Sequence, residues 1–335
     1  MDIKYIKYSN WQNFLLHQIG EYNIFSLFKD GELDYNYSVL SAANLKDTVL
    51  GKYRSRVPAK SFFFPSVEKI LPQTQTDTKK PSIIVGLKGC ELAHLRLIDA
   101  MFLGGEFSDS NYGRARNNSI IISTDCTSAK STCFCSIIEG KPYPTYGFDI
   151  NLRPIKSGLV VEISTEKGMQ LIKNNGSLFQ DIGQSHMEES QKNRADTDRL
   201  VLNINEKYKF AKALDEAVKP PKTDLWKDIA KECVECGGCR FVCSTCYCFL
   251  LGEQKNFEKQ RIWDTCQFKG YSRVAGGGNP RPAKLSRYRN FYSCKINYRR
   301  QNFGFYACTG CGRCVEVCPA KIDIREALTR LSEPK

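Results

Sequence analysis

Two runs near the C-terminal end hold residues whose type and spacing could do redox chemistry. One is Cys233-Val-Glu-Cys236-Gly-Gly-Cys239-Arg-Phe-Val-Cys243; the other is Cys308-Thr-Gly-Cys311-Gly-Arg-Cys314-Val-Glu-Val-Cys318-Pro319. Both read C-x2-C-x2-C-x3-C, and the second closes on the proline of the bacterial ferredoxin run. Three cysteines so spaced wrap a short loop whose sulfurs converge on one cubane, while the fourth points along a helical turn towards the neighbouring cluster. The expected sets are Cys233, Cys236, Cys239 and Cys318 on one [4Fe–4S] cluster, and Cys308, Cys311, Cys314 and Cys243 on the other. Gly237, Gly238, Gly310 and Gly312 suit backbone that must pass close to sulfide. Structural zinc has no use for the third and fourth cysteines of each run. Disulfides would demand an oxidising compartment, which nothing in the sequence indicates.

The first two-thirds of the chain contain four further cysteines, Cys90, Cys126, Cys133 and Cys135. Ser82 to Cys90 gives a short buried strand and a glycine-rich turn, and Leu92, Leu95, Ile98 and Phe102 then lie along one helical face. Cys90 therefore falls at a strand-to-helix junction, where a helix N-terminus favours a thiolate. A second strand, Ser119 to Thr124, leads to Cys126. Strand ends delivering these thiols to one sheet edge could assemble a third [4Fe–4S] cluster; buried apolar cysteines or a lone zinc are the competing readings. His94 is read as a satisfied core or surface histidine without a ligand role.

The elements that must position these residues are less distinct. Residues 1–30 suggest a helix followed by a strand. Arg54 to Pro65, a basic segment closed by Phe62, Phe63 and Phe64, reads as an apolar plug under a loop. Residues 72–81 read as a surface loop, and residues 158–172 as strand then helix. The polar stretch from Gln184 to Arg199 is expected to be a mobile loop or hinge. A helix around 205–217 is expected to end at Lys219-Pro-Pro. The resulting fold class is α+β. Residues 1–220 form an N-terminal α/β sheet domain carrying the extra cluster. Residues 221–335 form a bacterial-ferredoxin-like di-[4Fe–4S] domain with a long insertion at about 246–305, ending in a helix with Ile324, Leu328 and Leu331 on one face. The insertion holds Cys246, Cys248, Cys266 and Cys294, whose roles stay open, and the basic stretch Arg281 to Arg300. Cys239, Cys243 and Cys246 spell C-x3-C-x2-C only through overlap with the first run.

Composition narrows the function. No stretch of the 335 residues approaches a membrane span, and the N-terminus has no apolar signal-peptide core, so a reducing cytoplasm is expected. The formal charge of +13 falls to about +7 with three clusters bound, since each oxidised four-thiolate cubane adds about −2. No nucleic-acid motif accompanies it. There is no G-x-G-x-x-G after a strand and no convincing acid–base pair or nucleophile, so substrate chemistry is expected on another subunit.

The whole pattern resembles a family that includes the iron–sulfur subunit of anaerobic sulfite reductase and the beta subunit of archaeal sulfhydrogenases. The resemblance is carried by Lys60 to Pro65, Gly86-Leu-Lys-Gly-Cys90-Glu-Leu, Cys126 with Cys133-Phe-Cys135, Cys243-Ser-Thr-Cys246-Tyr-Cys248-Phe, Trp263-Asp-Thr-Cys266 and the final run. Ser244 stands where the family usually has proline, and Glu91 where it more often has aspartate. The resemblance implies an electron-transfer subunit placed beside a flavin- and NAD(P)H-binding or ferredoxin-linked reductase subunit, which would carry the flavin. Beyond it would lie a catalytic redox subunit of the sulfite reductase, nickel–iron hydrogenase or heterodisulfide-reductase-like kind. Two other readings are a stand-alone iron–sulfur enzyme binding substrate or flavin at its sheet edge, and a nucleic-acid-binding iron–sulfur protein that would use the stretch 281–300.

Overall fold

The computed structural model describes residues 2–71, 80–219 and 223–334. Its first half is built on an eight-stranded mixed sheet. The strands in chain order are β1 (Asp2–Lys7), β2 (Asn23–Asp30), β3 (Asp34–Val39), β4 (Val67–Leu71), β5 (Ser82–Leu87), β6 (Ser119–Thr124), β7 (Ile150–Pro154), β8 (Gly158–Ile163), β9 (Gln180–Asp181), β10 (Phe249–Glu253) and β11 (Lys259–Trp263). The large sheet runs β3-β2-β5-β6-β7-β8-β1-β9, parallel from β2 through β7 and antiparallel outside that block. Parallel strands are covered on both faces, so their sequences are almost continuously apolar. Along β5, Ile83 and Val85 join one core with Trp11, Phe14 and Leu15, while Ile84 and Leu87 join the other with Phe63, Leu95 and Ile98.

β5 and β6 are parallel neighbours, with Ile83 opposite Ile120, so both release the chain at the same sheet edge. The register slips at Gly86, whose φ of +98° favours glycine, and a side chain there would press on Leu27. That bulge turns the chain into the helix Gly89–Phe102, with Cys90 in its first turn.

The second half packs directly onto the first. Phe134 and Ile138 share a core with Trp226, Tyr288, Tyr292, Ile324 and Leu328. The helix Ile324–Ser332, capped by Asp323, lies on this core, as its apolar face implies. The insertion forms the hairpin β10–β11, and β4 joins it to make a second sheet in the order β10-β11-β4.

Several local expectations need correction. The chain opens on β1 before its first helix, Tyr8–Gln18. The stretch 184–199 is no hinge but most of a 21-residue helix, Gln184–Ile204. Its polarity is used inward: Arg194 reaches Asp125 and Glu162, Ser190 faces Arg153, and Asn193 bonds the Pro154 carbonyl. The helix expected around 205–217 is confined to Leu214–Val218. Residues 72–79 of the expected surface loop, and the expected boundary near residue 220, fall outside the described residues.

Candidate iron–sulfur sites

The two cysteine runs share one backbone design. Gly237 and Gly312, one residue past the second cysteine of each run, have φ of +75° and +76° and cap the short helices Gly238–Phe241 and Arg313–Glu316. The residues just before the second cysteines, Glu235 and Gly310, are also left-handed. Each run thus has the tight, left-handed turn that a cluster-binding loop calls for.

The thiols of Cys233, Cys236, Cys239 and Cys318 line one cavity, roofed by Tyr288, Phe291 and Tyr292, and Cys314 lies in its wall. The Ile322 N–H points at Cys318 Sγ at 3.4 Å and Arg240 donates to Cys239 Sγ at 2.9 Å. Such donors favour anionic sulfur. Cys308, Cys311, Cys314 and Cys243 lie within electrostatic reach of one another; burial pushes the Cys308 thiol up to about 12 and the Cys314 thiol well above its usual range. Cys90, Cys126, Cys133 and Cys135 line a third cavity together with Cys311. Burial pushes Cys135 to about 12 and lifts Cys90 and Cys126 as well.

The donors suit the group that the spacing implies. Every set is all-sulfur, the ligand type chosen by zinc and iron–sulfur centres. Among the described residues, however, no three His, Cys, Asp or Glu side chains are drawn tightly enough around one point to hold a single metal ion. A cubane spreads its thiolates more widely than one tetrahedral zinc does. Lys88 is fully buried, its ammonium has no hydrogen-bond partner, and its electrostatic neighbours are Cys126, Glu91, Asp125 and Cys90. Glu91 and Asp125 supply carboxylates near this buried cation, and anionic sulfur at Cys126 and Cys90 would suit the same setting.

Charged and backbone contacts join the Cys308 run to the segments that carry Cys90 and Cys133. Arg313 and Glu91 form a fully buried ion pair at 2.6 Å, and Arg313 also donates to the Ser55 carbonyl. Arg54 donates to the Cys311 carbonyl at 2.8 Å and pairs with Glu316. The Phe134 N–H bonds the Gly310 carbonyl at 2.8 Å, and Asn205 bonds the Cys133 carbonyl. The basic segment before Phe62 is therefore a clamp on the cysteine loops, while Phe63 and Phe64, with Phe62 packed partly buried beside them, act as the expected plug. Lys60 is buried, donates to the Cys246 carbonyl at 2.7 Å and lies 4.0 Å from the Trp263 ring centroid. His94 is a core residue as expected, yet neither ring nitrogen has a hydrogen-bond partner; burial, then Arg313 and Lys60, keep it neutral. The basic stretch 281–300 is largely spent internally: Arg287 pairs with Glu235, Arg300 with Glu139, and Lys295 is buried.

A mixed sheet that brings cysteines to one edge, fused to paired ferredoxin-type runs, defines an iron–sulfur subunit of an oxidoreductase. Residues 232–322 match the 4Fe-4S dicluster domain. The chain is 32% identical over 292 residues to sulfhydrogenase 2 subunit beta of Pyrococcus furiosus, covering 84% of each chain, and it belongs to that iron–sulfur subunit family. It is also similar to the F420-dependent formate dehydrogenase subunit beta of Methanocaldococcus jannaschii, 22% identical over 52% of this chain and 39% of that one. A third relative is the F420-dependent formate dehydrogenase 1 subunit beta of Methanococcus maripaludis, 33% identical over 26% of this chain and 22% of that one. Alignment with the formate dehydrogenase subunits thus spans less than half of their length. No helix among the described residues is long and apolar enough to cross a membrane.

Proposed function

We propose that the chain relays single electrons in a cytoplasmic oxidoreductase complex, between a flavin- and NAD(P)H-binding or ferredoxin-linked subunit and a catalytic redox subunit. In this reading Cys233, Cys236, Cys239 and Cys318 hold one [4Fe–4S] cluster, and Cys308, Cys311, Cys314 and Cys243 a second. Cys90, Cys126, Cys133 and Cys135 hold a third. Bound in these sets, the clusters supply one-electron carriers whose potentials follow from burial and from donors aimed at sulfur.

The observation that carries the reading is the sharing of walls. Cys314 of the second set lines the first cavity, and Cys311 of the same set lines the third. In this reading the Cys308 run adjoins both other sets, so the three form a row with it in the middle. Tyr288, Phe291 and Tyr292 line the first set on one side, Arg240 and the Ile322 N–H favour negative sulfur there, and Arg54 and Arg313 join the middle run to the 54–55 segment.

The test is anaerobic purification of the tagged chain from its native source, with flavin and metal analysis of what accompanies it. A flavoprotein and a second redox subunit are expected to co-purify. Recovery of the chain with neither would overturn the relay reading. The stand-alone enzyme draws support from an open cleft between Cys90 and Cys308, lined by Arg96, Tyr143 and Tyr146; stoichiometric flavin in the isolated chain would favour it.

A further inference from the structure

Four cysteines remain outside the three sets: Cys246, Cys248, Cys266 and Cys294. They come from distant parts of the insertion, and the fold gathers them. β10 and β11 pair with Phe249 opposite Trp263, and the Asp264 N–H bonds the Cys248 carbonyl at 3.0 Å. The base of this hairpin brings the Cys248 and Cys266 side chains to hydrogen-bond distance. Cys246 is likewise within hydrogen-bond distance of Cys243. Cys294 lies in a π-helical stretch, Ser293–Tyr298, an irregularity that re-aims side chains and recurs at functional sites. It shares the neighbourhood of Lys295 with Cys243 and Cys246, and that of Tyr247 with Cys248.

The charges around these thiols supply an independent argument. Lys60, Arg240 and Lys295 are all at least 97% buried. Among the described residues none of the three has a carboxylate partner; Lys60 meets the Cys246 carbonyl, Lys295 the Thr245 hydroxyl, and Arg240 the Cys239 sulfur and the Gln267 side-chain carbonyl. Beyond these, Arg240 Nε and Gln267 Nε2 are buried without a partner. Lys60 and Lys295 are electrostatic neighbours, Arg240 shares Cys246 with both, and cations so buried call for compensating anions. The electrostatic neighbours they share are sulfurs: Cys243 and Cys246 for both lysines, Cys246 and Cys266 for Arg240. Cys243 and Cys239, assigned above to the first two clusters, and the Trp263 and Phe291 rings meet part of this charge; anionic sulfur at Cys246 and Cys266 would meet the rest.

We propose that Cys246, Cys248, Cys266 and Cys294 hold a fourth iron–sulfur cluster. It would sit beside the Cys308 set through the Cys243–Cys246 contact, making the row of sites a branched one. The inference leans on the cluster reading above for the identity of the metal, but its residues are separate from those three sets. Each thiol loses its proton to solvent as its sulfur bonds iron, so the site adds anionic sulfur where the buried cations need it.

The test is iron, labile-sulfide and zinc content of the full chain loaded anaerobically with iron and sulfide, beside Cys266→Ala and Cys294→Ala variants. About sixteen irons per wild-type chain and about twelve in each variant are expected, four irons per cubane. About twelve irons in the wild type, or one zinc per chain that either variant loses, overturns the fourth cluster while leaving the three-set reading standing. Fewer than eight irons would overturn both. Should the variants fail to fold, alkylation mass spectrometry of loaded wild-type chain decides: all four thiols are expected to be protected until the iron is chelated, and labelling before chelation overturns the proposal.

Discussion

Glu235 and Gly310 occupy equivalent places in the two runs and share a left-handed backbone, φ +59° and +64°. Only the second is glycine, and the reason lies outside the run. A Cβ on Gly310 would come within 2.5 Å of the Cys135 backbone, and one on Gly312 would strike the Thr132 carbonyl, whereas the Glu235 side chain is free to reach Arg287. Glycine in the Cys308 run is thus needed for the close approach of the segment carrying Cys133 and Cys135, not only for passage near sulfide. Gly310→Ala is expected to cost at least about 1–2 kcal/mol from the backbone alone and to deplete the third site first. Thermal unfolding and iron counting check this; an unchanged midpoint with full iron would refute the close-approach argument. At the same site, Lys88→Met removes a buried positive charge beside Cys90 and Cys126. The midpoint potential of the third cluster should fall, as read by an anaerobic redox titration followed by electron paramagnetic resonance; an unmoved midpoint would contradict the assigned electrostatic role.

Among the elements, the helix Gly89–Phe102 and the Cys308 run are locked by the Arg313–Glu91 pair, sealed from water at both ends. Losing one partner of a buried pair leaves the other charge uncompensated, at about 3–5 kcal/mol. Arg313→Leu and Glu91→Leu should each destabilise the chain by about that much, and the double variant by clearly less than their sum. Chemical denaturation of the four proteins checks this, and strict additivity would argue against coupling. The pair also shows what the sequence made legible. Cysteine spacing and near-continuous apolar strands are local signals, so the two runs, β5, β6 and the helix after Cys90 could be read directly. Partners more than two hundred residues apart, such as Arg313 with Glu91, leave no local trace, and neither does the pairing of β11 with β4. The helix Gln184–Ile204 escaped because its inward face bonds charged groups on the sheet rather than filling an apolar core, so no hydrophobic period marks it.

Across the whole molecule, part of the positive charge behind the formal +13 is taken up inside the fold. Arg54, Lys60, Lys88, Arg240, Arg287, Lys295 and Arg313 are buried, where they hold cysteine loops or face sulfur. With four clusters bound the net charge would fall to about +5, at about −2 per cubane. The loaded chain should therefore show no retention on duplex DNA at physiological salt, and binding with a steep salt dependence would reinstate that reading. The central claim is that the two cysteine runs hold iron as cubanes. Mössbauer spectroscopy of anaerobically purified, iron-57-enriched full chain tests it most directly. The account predicts at least about eight irons per chain, all in [4Fe–4S] form, with about four lost in Cys236→Ala. A chain carrying zinc in these runs, with no tetranuclear iron signal, would contradict it.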